Sequence, residues 1–104
     1  MNDEVLMAAM DVVLTWGPER TRPEFDRLRD TFPDIDKSAA ARALGAAAKV
    51  IDDAENLARE VKTGRMSMQQ AESKLLENRA WLSPEQASRA QNQGMYYDWR
   101  EYGE

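Results

Sequence analysis

At 104 residues the chain has the length of one domain and can bury a core without disulfide or metal staples, and it holds no cysteine from which to build a disulfide. It also lacks histidine, which together with the missing cysteine removes the usual general base, the usual thiol nucleophile and the commonest zinc ligands. The net charge of −5 is spread over both halves, so neither offers the clustered Lys and Arg that duplex nucleic acid rewards.

The first predicted element runs from Asp3 to Trp16, with Asn2 or Asp3 as N-cap and acids in its first turn. From Val5 to Trp16 only Asp11 and Thr15 are polar, and Met7 and Leu14 flank Asp11 on what should be the water face. That surplus apolar stripe predicts either burial on most sides or a homodimer interface at Met7 and Leu14. Acids precede the apolar run and Asp11 interrupts it, unlike a secretory signal, so a cytoplasmic location is expected. No stretch approaches the roughly 20 apolar residues that span a bilayer. Gly17-Pro18 should end this helix.

A capping box, Thr21-Arg22-Pro23-Glu24, predicts a second helix over 22–32, with Phe25, Leu28 and Phe32 on one face and Pro33 as its stop. Arg20, Arg22, Arg27 and Arg29 form no basic patch, because Glu19, Glu24, Asp26 and Asp30 offset them. The spacing predicts a solvated face with Arg22–Asp26 and Asp26–Arg29 pairs. In Pro33-Asp34-Ile35-Asp36 the acids read as caps for the next helix, since a calcium loop would need further acids and a glycine that are missing.

The longest patterned stretch follows, a predicted helix over 36–63. Ala40, Leu44, Ala47, Ile51, Ala54, Ala58 and Val61 alternate at intervals of four and three, and Ala43, Val50 and Leu57 widen the seam. Arg42, Gly45, Lys49, Asp52, Asn56, Arg59 and Thr63 should meet water. Arg59 and Lys62 complement the C-terminal dipole, and Gly64 can take the left-handed C-cap conformation. Lys37 to Asn56 also resembles the helix-turn-helix pattern, with Gly45 as turn glycine, Ala41 at the small position and Leu44, Ile51 and Ala54 at apolar positions. The resemblance covers about a fifth of the chain and implies a second helix near 48–56 in the DNA major groove. Asp52 and Asp53 would then face phosphate, and Ala46-Ala47-Ala48 supplies no polar cap, so a continuous helix is the stronger expectation.

Ser67-Met68-Gln69-Gln70 predicts a fourth helix ending near Ala80 or Trp81, with Met68, Ala71, Leu75 and Leu76 facing the core. Ser83-Pro84-Glu85-Gln86 starts a fifth over 84–102, in which Ala87, Ala90, Gly94 and Tyr97 form one stripe and Gly94 is a weak point. Tyr96, Tyr97, Trp99 and Tyr102 concentrate aromatics near its end, with Asp98 and Glu101 threaded between them.

These elements predict an all-α fold, a single domain over 1–104 built as a compact bundle of about five helices around the central one. The serines read as caps, and Asp52 and Asp53 point about 100° apart on a helix, which denies them a shared proton or substrate bond. The expected function is therefore a non-enzymatic, acidic interaction module: an inhibitor or adaptor, bacterial or phage in character, whose protein partner is basic, with nucleic-acid-handling proteins among the candidates. Asp52, Asp53 and Glu60 would steer that partner, and Tyr96, Trp99 and Tyr102 would anchor it. A dimeric helix-turn-helix regulator is the alternative and a small enzyme the third reading; no cofactor, metal or membrane is expected.

Overall fold

The structure, a computed structural model, describes residues 2–15 and 21–102, and of residues 97–102 the backbone only. The described residues contain no strand and five helices: α1 (Asp3–Leu14), α2 (Glu24–Thr31), α3 (Lys37–Lys62), α4 (Met68–Leu76) and α5 (Pro84–Tyr102). The all-α class and the long central helix are as expected. Contacts gather into two compact units, Met1–Ala48 and Lys49–Glu104, and α3 contributes residues to each.

Helix α3 is continuous for 26 residues. Asp36 starts it, its carboxylate accepting from the Ala39 N–H at 2.7 Å. Gly45 sits inside the helix and is exposed, so the turn and separate second helix implied by the helix-turn-helix resemblance are absent. The buried line runs through Ala40, Ala43, Ala47, Val50, Ala54 and Ala58, while Leu44, Ile51, Leu57 and Val61 are half-buried. Its centre thus lies at 43 and 50, where the periodicity favours 44 and 51. Neighbours settle closest over the smallest side chains, and the larger Leu44 and Ile51 are left to flank the seam. The expected polar side, from Arg42 to Thr63, is exposed. A Cβ added at Gly45 would meet nothing within 4 Å. Gly45→Ala is therefore expected to stabilise the protein by up to about 1 kcal/mol, the difference in helix propensity, read as a raised urea midpoint at unchanged slope.

In the first unit, Asn2 caps α1 by accepting from the Glu4 N–H at 2.7 Å. Leu6, Ala9, Met10 and Leu14 are buried. The helix stops at Leu14, two residues short of the expected end; Thr15 is the C-cap, its hydroxyl donating to the Asp11 carbonyl. Trp16 and the Gly17-Pro18 stop lie outside the described residues. The expected capping box at Thr21 does not form: α2 begins at Glu24, and Pro23 at the cap position supplies no side-chain hydrogen bond. Arg22 precedes a proline and so avoids helical backbone, and Pro23 is itself extended with ψ 139°; the Arg27 Nε–H donates to the Arg22 carbonyl at 3.1 Å. Arg27 also corrects the solvated-face reading. It is 9% exposed, and its Nη1 donates to the Val12 carbonyl of α1 at 2.9 Å. Arg22 pairs with Asp30, through bonds of 2.8 and 3.3 Å, instead of with Asp26. Arg29 turns to the Pro33 carbonyl and lies over the Phe25 ring at 5.6 Å.

In the second unit, α3 ends in a Schellman motif: the Arg65 N–H donates to the Glu60 carbonyl at 2.9 Å and the Gly64 N–H to Val61 at 3.1 Å. Gly64 has the φ of +78° that this motif needs. Ser67 and Gln70 close the predicted box at the start of α4, with bonds of 2.8 and 3.1 Å. Ser83 and Gln86 close the one before α5. Helix α4 stops at Leu76, four residues earlier than expected. Asn78 adopts a left-handed φ of 59°, and the Arg79 guanidinium donates to the Leu75 carbonyl at 3.0 Å, occupying one of the acceptors a further turn would need.

Helix α5 reaches α3 at close range within this unit. Gly94 is buried, and a Cβ there would lie 2.7 Å from the Ala54 carbonyl oxygen and 2.8 Å from its carbon. Beside it, Gln91 is 0% exposed and its Nε2 donates to the same carbonyl at 3.0 Å. The expectation that Gly94 is a weak point is overturned: the missing side chain is what admits the neighbouring backbone.

Candidate protein-binding surface

The residues predicted to meet a partner divide into three groups by what surrounds them. Asp52 lies on the water side of α3 in line with Asn56 and Arg59, all exposed. Asp53, one position on and turned about 100° around the helix, is drawn inward instead. It pairs with Arg79 and, at 3.1 Å, with Lys49, and its side chain is 29% exposed. Burial alone would raise its carboxyl pKa, but the hydrogen bonds and charges of Arg79 and Lys49 outweigh burial and hold it below the usual range. Arg79 thus joins α3 to the C-terminal carbonyls of α4, and Asp53 serves the fold more directly than it serves a partner. Glu60 stands at the end of α3, with Arg65 3.4 Å from its carboxylate.

The linkage of Asp53 to stability has a definite sign. Its folded pKa is lowered, so its contribution is complete above the unfolded value of about 4 and is lost as the pH falls through the folded value. Thermal unfolding followed from pH 7 to pH 2 should show the wild type and Asp53→Asn converging in acid, with the wild type more stable at neutral pH.

Tyr96 is the second group. It falls on the outward stripe of α5 with Glu85, Arg89 and Asn92, and is 45% exposed, one of two large exposed apolar residues among those described. The side chains of Trp99 and Tyr102, predicted to work with it, lie outside the described residues.

The predicted dimer stripe forms the third group, and it is divided. Leu14 is 0% exposed and belongs to the chain's own core, while Met7, two turns earlier on the same stripe of α1, is 39% exposed. Leu14 is thus covered within its own chain, and of the predicted pair Met7 is the one exposed.

The described surface includes two open grooves. One, of about 550 Å³, runs along the outer side of α4 between Arg65, Gln69, Ser73, Lys74 and Glu77. The other, of about 370 Å³, lies between α1 and α2 and is lined by Ala8, Asp11, Val12, Arg27 and Asp30. In the second groove Arg22 engages Asp30 and holds its carboxyl below the usual range through the hydrogen bonds they share. Among the described residues no group of carboxylates is placed to hold a metal ion. None of their helices is long and apolar enough to cross a membrane.

The roles of three residues that organise these surfaces are not carried by the local sequence pattern. Arg27 carries no local signal, because the carbonyl it seeks belongs to another helix. Arg79 is likewise joined to Asp53 across 26 positions. Gln91 did leave a trace: with Ala87, Ala90 and Gly94 it completes an i, i+3, i+4, i+7 set, a polar residue standing within a small-residue seam. No family model matches the chain, and no match was found among curated proteins or solved structures.

Proposed function

We propose that the chain is a non-enzymatic, acidic interaction module, an inhibitor or adaptor acting in the cytoplasm on a basic protein. The observation that carries this reading is the pairing of a net charge of −5 with a tyrosine, Tyr96, left 45% exposed on α5. An exposed aromatic offers large contact area at low entropic cost, and surrounding acid raises the rate at which a basic partner arrives. Asp52 and Glu60 supply acid on the same unit, while Asp53 is committed inside it.

The two kinds of residue should fail differently. With a captured basic partner immobilised, Asp52→Asn with Glu60→Gln should slow association and flatten its salt dependence. Tyr96→Ala should weaken affinity at least tenfold, mostly through faster dissociation, without a matching loss of thermal stability. Capture of no basic protein, or unchanged kinetics in both variants, would sink the reading.

A further inference from the structure

Gln91 is an anomaly in the second unit. Its side chain is 0% exposed, its Nε2 donates to the Ala54 carbonyl at 3.0 Å, and its Oε1 is buried with no hydrogen-bond partner. A buried acceptor left unmade costs stability, and the bond on the other side of the amide returns little of it. Ala54 lies inside α3, where its carbonyl already accepts from the helix's own ladder, so the Gln91 bond is a second bond to a satisfied group. Methionine or leucine would fill a similar volume with no polar atom to satisfy. Stability alone therefore does not favour glutamine here.

The placement of Gln91 suggests what does. Along α5 its neighbours on this face, Ala87, Ala90 and Gly94, are buried and nearly featureless, and the buried positions of α3 in this unit are Val50, Ala54 and Ala58. Seams of small residues present similar surfaces one helical turn up or down, so they fix the distance between two helices better than their position along each other. Gln91 and Gly94 meet one and the same peptide unit, that of Ala54. A slide by less than a full turn would take the Gln91 amide off this carbonyl into apolar surroundings and would carry Gly94 away from the closest contact, and a full turn toward Val50 would set a branched side chain against them.

We propose that Gln91 and Gly94 together form a positional key that fixes the register of α5 on α3, and that the Gln91 amide does so at a net cost in stability. Buried polar groups that set register while lowering stability are known from helical assemblies. The key selects one seating of α5 and thereby the place where Tyr96, five residues further on, emerges at the surface.

The test uses the full chain with Gln91→Met, and Gln91→Leu as a second shape. The expected result is a melting temperature raised by about 5 °C in at least one variant, with slow amide exchange lost or resonances multiplied along α5 in both. A lowered melting temperature in both variants would overturn the proposal, because the amide would then be a net stabiliser. A raised one with α5 as well protected and as uniquely ordered as in the wild type would also overturn it, because the key would then select nothing.

Discussion

Gly94→Ala is expected to destabilise the protein by about 3 kcal/mol, at the upper end of what overpacking a tight interior costs. The new methyl would have to sit 2.7 Å from the Ala54 oxygen and 3.2 Å from the Glu55 nitrogen, and both belong to the backbone of α3. No rotamer change relieves such a clash, because helix backbones move only as units, so α5 must retreat and give up contacts along its length. Helix propensity acts in the opposite direction by about 1 kcal/mol, too little to reverse the sign. Denaturant unfolding of Gly94→Ala beside Gly45→Ala makes the comparison clean: the same chemical change should shift the midpoint down at one site and up at the other. A Gly94→Ala variant as stable as the wild type would mean that α5 does not approach α3 as described.

Arg27→Ala comes next, with an expected loss of about 2 kcal/mol, the scale of hydrogen bonds made by a charged donor with little access to water. Two carbonyls lose their guanidinium partner, that of Arg22 at 3.1 Å and that of Val12 at 2.9 Å, and the buried stem leaves a void between α1 and α2. Lysine should rescue little, since one ammonium cannot span acceptors that a planar fork reaches together. Urea midpoints for the alanine and lysine variants check both statements. Amide exchange should accelerate at Val13, Leu14 and Thr15, because the bond to the Val12 carbonyl secures the C-terminal turn of α1.

These two expectations also mark the limit of what the sequence discloses. Features decided within a few residues were legible: Asn2, Ser67 with Gln70, Ser83 with Gln86, and Gly64 all cap helices as their local chemistry dictates. The apolar period of α3 gave its length and its wet side, although the exact centre of the seam depended on which neighbours lay over it. Illegible features were those whose partner is distant. Nothing near Arg27 names Val12, nothing near Asp53 names Arg79, and Gly94 reads as a defect until Ala54 is set against it. The early stop of α4 lies between these cases, because asparagine tolerates the left-handed conformation but many asparagines do not adopt it. At the proposed binding surface the sequence supplied the residue types, and burial sorted them: Asp53 and Leu14 went inward, while Asp52, Tyr96 and Met7 stayed out.

The alanine seam bears on how this protein would answer a mutational survey. Ala40, Ala43, Ala47, Ala54, Ala58, Ala71, Ala87 and Ala90 are all buried, so a large share of the interior is already the residue to which systematic truncation leads. An alanine scan would pass over these positions in silence and return a map of modest effects, as if the core were tolerant. The informative survey runs the other way, enlarging each site by a methyl or two. Its most intolerant positions would trace the lines where one helix backbone lies against another, and they would be invisible to the usual experiment.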